Sequence, residues 1–177
     1  MDSLPSLPDN FPHPVVIGID PGSRVMGYGA LVLRGAKPVF LAAGTLGMGR
    51  EGAIGMRLGA MRQDLDELFR KLRPQVVVIE RAFAGKNIAS ALRLGEARGV
   101  ALCCAAVVGA KIREYTPAEA KKALVGNGRA DKTQVAGMVR SALGEAVADL
   151  RHDATDALSL ALTWAYRKDY EELLERE

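Results

Sequence analysis

Apolar and polar positions along this chain switch between two periods, and the switches mark out its elements. Residues 15–20 (VVIGID) are a short apolar run stopped by turn residues, the pattern of a buried strand. GYGALVLR (residues 27–34) and PVFLAAGTL (residues 38–46) predict two more strands, with short links holding Gly or Pro that suit hairpins. Ile54, Leu58, Met61, Leu65, Leu68 and Leu72 then recur at three- and four-residue steps, an amphipathic helix that ends at Arg73-Pro74-Gln75. VVVIE (residues 76–80) is a β-branched run short enough to be a buried strand. A long helix over about residues 87–109 and a fifth strand over residues 110–116 follow. Thr116, Pro117 and Glu119 have the order of a cap, a first-turn proline and an acidic third position, so a helix is predicted over residues 117–125. Two further helices, over residues 131–143 and from about residue 153, complete an α/β order that implies a mixed sheet with helices on its faces.

Composition narrows the class. At 177 residues, 49% apolar and 25% charged, one domain with an ordinary core is expected, assigned to residues 15–168. No apolar run approaches the ~20 residues that span a bilayer. The first fourteen residues hold four prolines and no Lys or Arg, so they read as a flexible tail and not as a signal peptide. The adjacent Cys103 and Cys104 match neither a zinc spacing nor a disulfide framework, which predicts a reduced core pair and a cytoplasmic protein. The net charge is +3, yet the last nine residues, an acidic tail over residues 169–177, carry −4, which leaves +7 for residues 1–168. Seven basic and three acidic residues between Lys111 and Arg140 form a basic stretch suited to a polyanion, or equally to solvent.

The chemistry lies in where the acids fall. Asp20 ends the first strand and is followed by Pro-Gly, which a simple turn would explain. Glu80 ends the fourth strand in the same way, and RAFAG behind it is no tight turn. If these strands are parallel neighbours ~4.8 Å apart, both acids share the carboxyl edge where open α/β sheets place their ligands. Asp153 and Asp156 sit three apart at a helix start, where capping alone would favour acids. The nearly all-apolar helix beyond them turns their face toward something buried. Four converging carboxylates repel one another unless cations neutralise them, and clustered hard oxygens select Mg²⁺ or Mn²⁺ over zinc. Two such ions suit a phosphodiester displacement.

GIDPGSRVMGYG, IERAFAGKNIASALRLGEARGVA and HDATDALSLALT, in that order, resemble the RuvC family of bacterial Holliday-junction resolvases. The resemblance runs from about Val15 to Tyr166. It implies an RNase H-like fold with a five-stranded mixed sheet flanked by helices. It further implies a homodimer that nicks a four-way DNA junction in pairs during recombination and repair, leaving 5′-phosphate and 3′-hydroxyl ends. Asp20, Glu80, Asp153 and Asp156 occupy the family's metal-binding and catalytic positions, with two ions per site. The fourth position is Asp in some members and His in others, which keeps His152 beside Asp153 as a lesser candidate. Phe83 matches an aromatic that stacks near the junction centre, and Lys121 and Lys132 match basic residues near the scissile phosphates. Lys86 and Asn87 would grip phosphate where the long helix opens. Ala91, Gly95 and Gly99 form a small-residue stripe that packs either on the chain's own sheet or across a dimer axis, and the family favours the latter. RuvA and RuvB are the implied partners. A junction-binding protein without catalysis and a related nuclease acting on RNA are the alternatives, and the intact set of four acids argues against the first.

Overall fold

The computed structural model describes residues 4–22, 24–47, 52–81 and 88–174. In chain order the elements are β1 (Val15–Asp20), β2 (Val25–Arg34), β3 (Lys37–Gly47), α1 (Ile54–Leu72), β4 (Val76–Glu80), α2 (Ile88–Val107), β5 (Lys111–Tyr115), α3 (Pro117–Val125), α4 (Lys132–Leu143), a 3₁₀ turn (Glu145–Val147) and α5 (His152–Leu174). The strands form one sheet in the order β3-β2-β1-β4-β5. β1, β2 and β3 pair antiparallel, as hairpin links dictate, whereas β4 runs parallel to both β1 and β5, each reached through a crossover helix.

Side-chain alternation sends each strand's residues to two cores. Ile17, Ile19, Val77 and Ile79 pack with Met61, Leu65, Leu68, Phe69 and Leu72 of α1 and with Ala97, Ala101 and Cys104 of α2. Val16, Val76, Val78 and Tyr115 pack on the other face with Leu124 of α3, Val135 and Val139 of α4, and Leu158, Leu162 and Trp164 of α5. From Ala157 to Ala165 every residue of α5 is buried, because this helix lies between the sheet and the α3–α4 pair. Its two polar members stay bonded within the helix: Ser159 donates to the Asp156 carbonyl (2.6 Å) and Thr163 to the Ser159 carbonyl (2.8 Å).

Three sequence expectations differ from the structure. Residues 4–14 form no helix or strand, but Leu4, Leu7 and Phe11 pack on the α1–α2 core, and the Leu7 N–H donates to the Lys71 carbonyl at 2.9 Å. The proline content that argues for a flexible tail forbids a helix; it does not prevent apolar anchoring. α5 continues to Leu174 and so takes in residues 169–174 of the expected acidic tail. There Glu171 accepts from the Tyr115 hydroxyl and pairs with Arg113 and Arg167, so this acid is held by partners on β5 and its own helix. Finally, Cys104 is buried and Cys103 exposed, since helical neighbours lie about 100° apart around the axis.

Candidate active site

β1 and β4 pair with Ile19 opposite Ile79, so the next residue of each strand, Asp20 and Glu80, ends the pair at one edge. Both fall on the alternation that carries Gly18 and Val78 toward α5. α5 comes down onto this edge because three strand positions, Gly18, Gly27 and Gly29, lack a side chain. A Cβ at Gly18 would stand 1.9 Å from the Ala157 carbonyl oxygen, and one at Gly27 would stand 2.0 Å from the Asp153 carbonyl oxygen. The first turns of α5, with Asp153 and Asp156, therefore rest directly on the backbone of β1 and β2.

Asp20, Glu80 and Asp156 line a cleft of about 280 Å³, together with Lys121, Lys132 and Ser159. The two lysines arrive on separately anchored helices. Thr116 and Glu119 close a reciprocal cap on α3, with the Thr116 N–H donating to Glu119 at 2.7 Å and the Glu119 N–H to the Thr116 hydroxyl at 3.2 Å. Asp131 and Gln134 do the same for α4, and Lys132 is its first residue. The Lys132 ammonium donates to Asp156 Oδ2 at 3.1 Å.

Negative charge is in excess here. Burial pushes the Asp20 carboxyl up to about 7, and repulsion from Glu80, Asp156 and Asp153 adds to it, with Lys132 opposing. Glu80 is raised for the same reasons, burial first and Asp156 second. Asp153 is outside the cleft lining but close enough to repel Asp20. Among the described residues no three carboxylates, imidazoles or thiols are gathered tightly enough to hold a metal ion as they stand. The donor set nonetheless fits one: hard oxygens on a solvent-open edge, mutually repelling and with one ammonium among them, are the ligand chemistry of Mg²⁺ or Mn²⁺.

The other expected site residues divide. His152 is exposed at the start of α5. Phe83, Lys86 and Asn87 lie outside the described residues. Sequence reasoning missed Gly18, Gly27 and Gly29, although a signal was there: glycines inside two strand patterns, Gly18 facing Gly29 and Gly27 facing Asp20 once the strands pair, mark a close backbone approach.

A mixed five-stranded sheet of this order, with helices on both faces and acids at the carboxyl ends of its first and fourth strands, is an RNase H-like fold. The family model for crossover junction endodeoxyribonuclease RuvC matches residues 16–164. RuvC of Alkalilimnicola ehrlichii is 42% identical over 163 residues, covering 92% of this chain and 98% of the relative. RuvC of Halorhodospira halophila is 44% identical over 153 residues, 86% of this chain and 90% of the relative. A solved structure of Thermus thermophilus RuvC in complex with Holliday junction substrate superposes with a TM-score of 0.83 at 32% identity, covering 90% of this chain and 97% of that one. The chain belongs to the RuvC family of crossover junction endodeoxyribonucleases. Nucleases of this family depend in general on divalent metal ions.

Proposed function

We propose that this chain resolves four-way DNA junctions as a homodimer, by paired metal-dependent nicks that leave 5′-phosphate and 3′-hydroxyl ends. The single observation that carries the reading is the cleft in which Asp20, Glu80 and Asp156 meet under two lysines at the sheet edge. Asp20, Glu80, Asp153 and Asp156 would hold two Mg²⁺ or Mn²⁺ ions. When bound, the ions supply charge that activates water and steadies the departing 3′ oxygen. Lys121 and Lys132 offset phosphate charge as it builds on the scissile group. Phe83 stacks on a base near the junction centre, and Lys86 and Asn87 hold phosphate beside it.

The dimer has its own support. Ile88 and Leu92 of α2 are 77% and 65% exposed, and a Cβ at Gly95 or Gly99 would meet nothing within 4 Å. The small-residue stripe thus turns away from the chain's own sheet. Two such sites suit a junction that is itself nearly twofold symmetric. RuvA and RuvB, acting in the same cytoplasmic pathway, are the partners the family implies; no described helix is long and apolar enough to cross a membrane.

The test is a synthetic four-way junction with each strand end-labelled in turn, incubated with Mg²⁺ or Mn²⁺ and either the wild type or Asp20→Asn. Paired nicks on opposite strands are expected from the wild type only, with junction binding kept by the variant. Binding without nicks in either metal would leave a junction-binding module and remove the catalytic reading.

A further inference from the structure

We propose that Lys132 is the resident counter-cation of the cleft, competing with divalent metal for Asp156, so that metal loading releases its ammonium toward the DNA phosphate. The inference rests on the metal site assigned above and concerns what occupies Asp156 before metal does. The ammonium stands 3.1 Å from Asp156 Oδ2, as both a hydrogen bond and an ion pair. The pair is lopsided in burial: the Lys132 side chain is 70% exposed and that of Asp156 29%. Lys132 therefore reaches in from solvent and can leave without repacking anything.

Its base, in contrast, is fixed. Lys132 opens α4 directly behind the Asp131–Gln134 cap, so the backbone stays in place while four rotatable carbons carry the charge. An ammonium offers one charge and three donors, so it neutralises only part of the charge of four carboxylates. A divalent ion takes six or more oxygens, and one that claims Asp156 Oδ2 displaces the ammonium from it. A lysine that stood away from the carboxylates until DNA arrived would leave the metal affinity of the DNA-free protein nearly unchanged, and this separates the two roles.

The experiment is isothermal titration of the full-length, DNA-free protein with Mn²⁺ at one fixed salt concentration, for the wild type, Lys132→Met, Lys132→Arg and Asp156→Asn. Lys132→Met should bind Mn²⁺ roughly ten-fold more tightly, the size of one unit charge acting on a nearby divalent ion through partly hydrated surroundings. Lys132→Arg, which keeps the charge, should stay near wild type, and Asp156→Asn should bind weakly. Lys132→Met should also cleave junctions more slowly although it loads metal better. Unchanged or weaker Mn²⁺ binding by Lys132→Met, with the wild type binding normally, overturns this inference and leaves the metal site standing. No Mn²⁺ binding by the wild type overturns both.

Discussion

Gly27 of β2 lies against the backbone of Asp153 in α5 so closely that a Cβ there would be 2.0 Å from the Asp153 carbonyl oxygen. The acid-bearing end of α5 is thus set by a missing side chain on the sheet. Gly27→Ala must lift this helix end or bend β2, and overpacking of that kind costs about 1–3 kcal/mol. The larger effect should be on cleavage, because Asp153 and Asp156 move with the helix. Single-turnover cleavage should fall at least ~100-fold, in line with displacing catalytic groups by about 1 Å, and a urea melt should show the modest stability loss. Gly47→Ala is the control, since a Cβ there meets nothing within 4 Å. Near-normal cleavage by Gly27→Ala would mean that α5 does not set the site.

Asp20 makes the metal-free protein sensitive to pH in a direction unusual for an aspartate. Its carboxyl is held at about 7 in the fold, mainly by burial, against 3.8 without the fold. Between these values the folded state binds more protons than the unfolded one, so stability falls as pH rises, and the loss is complete above about 7. Asp20→Asn should stabilise the metal-free protein at pH 8, by a few kcal/mol at most, and confer little near pH 4. Glu80, raised in the same direction, keeps some slope in the variant. Thermal midpoints at pH 5 and pH 8 measure the difference. Adding Mn²⁺ at pH 8 should raise the wild-type midpoint, by about 2.7 kcal/mol of stability at a hundred times its Kd, and should do far less for Asp20→Asn. A variant no more stable than wild type at pH 8 would mean that Asp20 is not strained there.

These features are unequally legible in the sequence. The strands ending on Asp20 and Glu80 can be read from it, because a buried apolar run that stops on a carboxylate must bring that charge to solvent, a cation or a hydrogen-bond donor. Their adjacency cannot, since nothing in VVIGID or VVVIE states that β1 and β4 are parallel neighbours; only the sheet order supplies it. The caps at Thr116 and Asp131 are local, formed within three residues, and the former is legible directly from residue types. The Lys132–Asp156 contact spans 24 residues and joins two helices, so no local pattern encodes it. The N-terminal anchoring of Leu4, Leu7 and Phe11 is hidden for a related reason: prolines describe what a segment's backbone cannot do, and tertiary contact decides the rest.

The far end of α5 is clasped as well. Glu171 accepts from the Tyr115 hydroxyl at 2.7 Å and forms an ion pair with Arg167 at 3.2 Å, and Arg167 lies over the Tyr115 ring at 5.3 Å. Tyr115 pairs with Glu80 in the β4–β5 register, and its carbonyl accepts from the Arg81 N–H at 2.8 Å, so the clasp backs the strand that carries Glu80. Tyr115→Phe removes one hydrogen bond to a charged acceptor and should cost about 1.5–3 kcal/mol in urea denaturation. Glu171→Ala should cost at least as much. No loss in either variant would return residues 169–174 to the role of a solvated helix end.

The α2 face offers the sharpest test of assembly. Ile88, Leu92, Gly95 and Gly99 fall at four-, three- and four-residue steps, which places them on one stripe of the helix. Exposed apolar residues are ordinary when scattered, but a stripe combining two large ones with two open glycines allows a second helix to approach closely. Leu92→Glu would set a carboxylate against its own symmetry mate in such an interface. Analytical ultracentrifugation should therefore find a dimer for the wild type and a monomer for Leu92→Glu at micromolar concentration, with unchanged circular dichroism. On the labelled junction the variant should lose paired nicking and leave only slow, uncoupled cuts, because each monomer carries one cleft. A variant that sediments as a dimer and nicks in pairs would move the interface away from this helix.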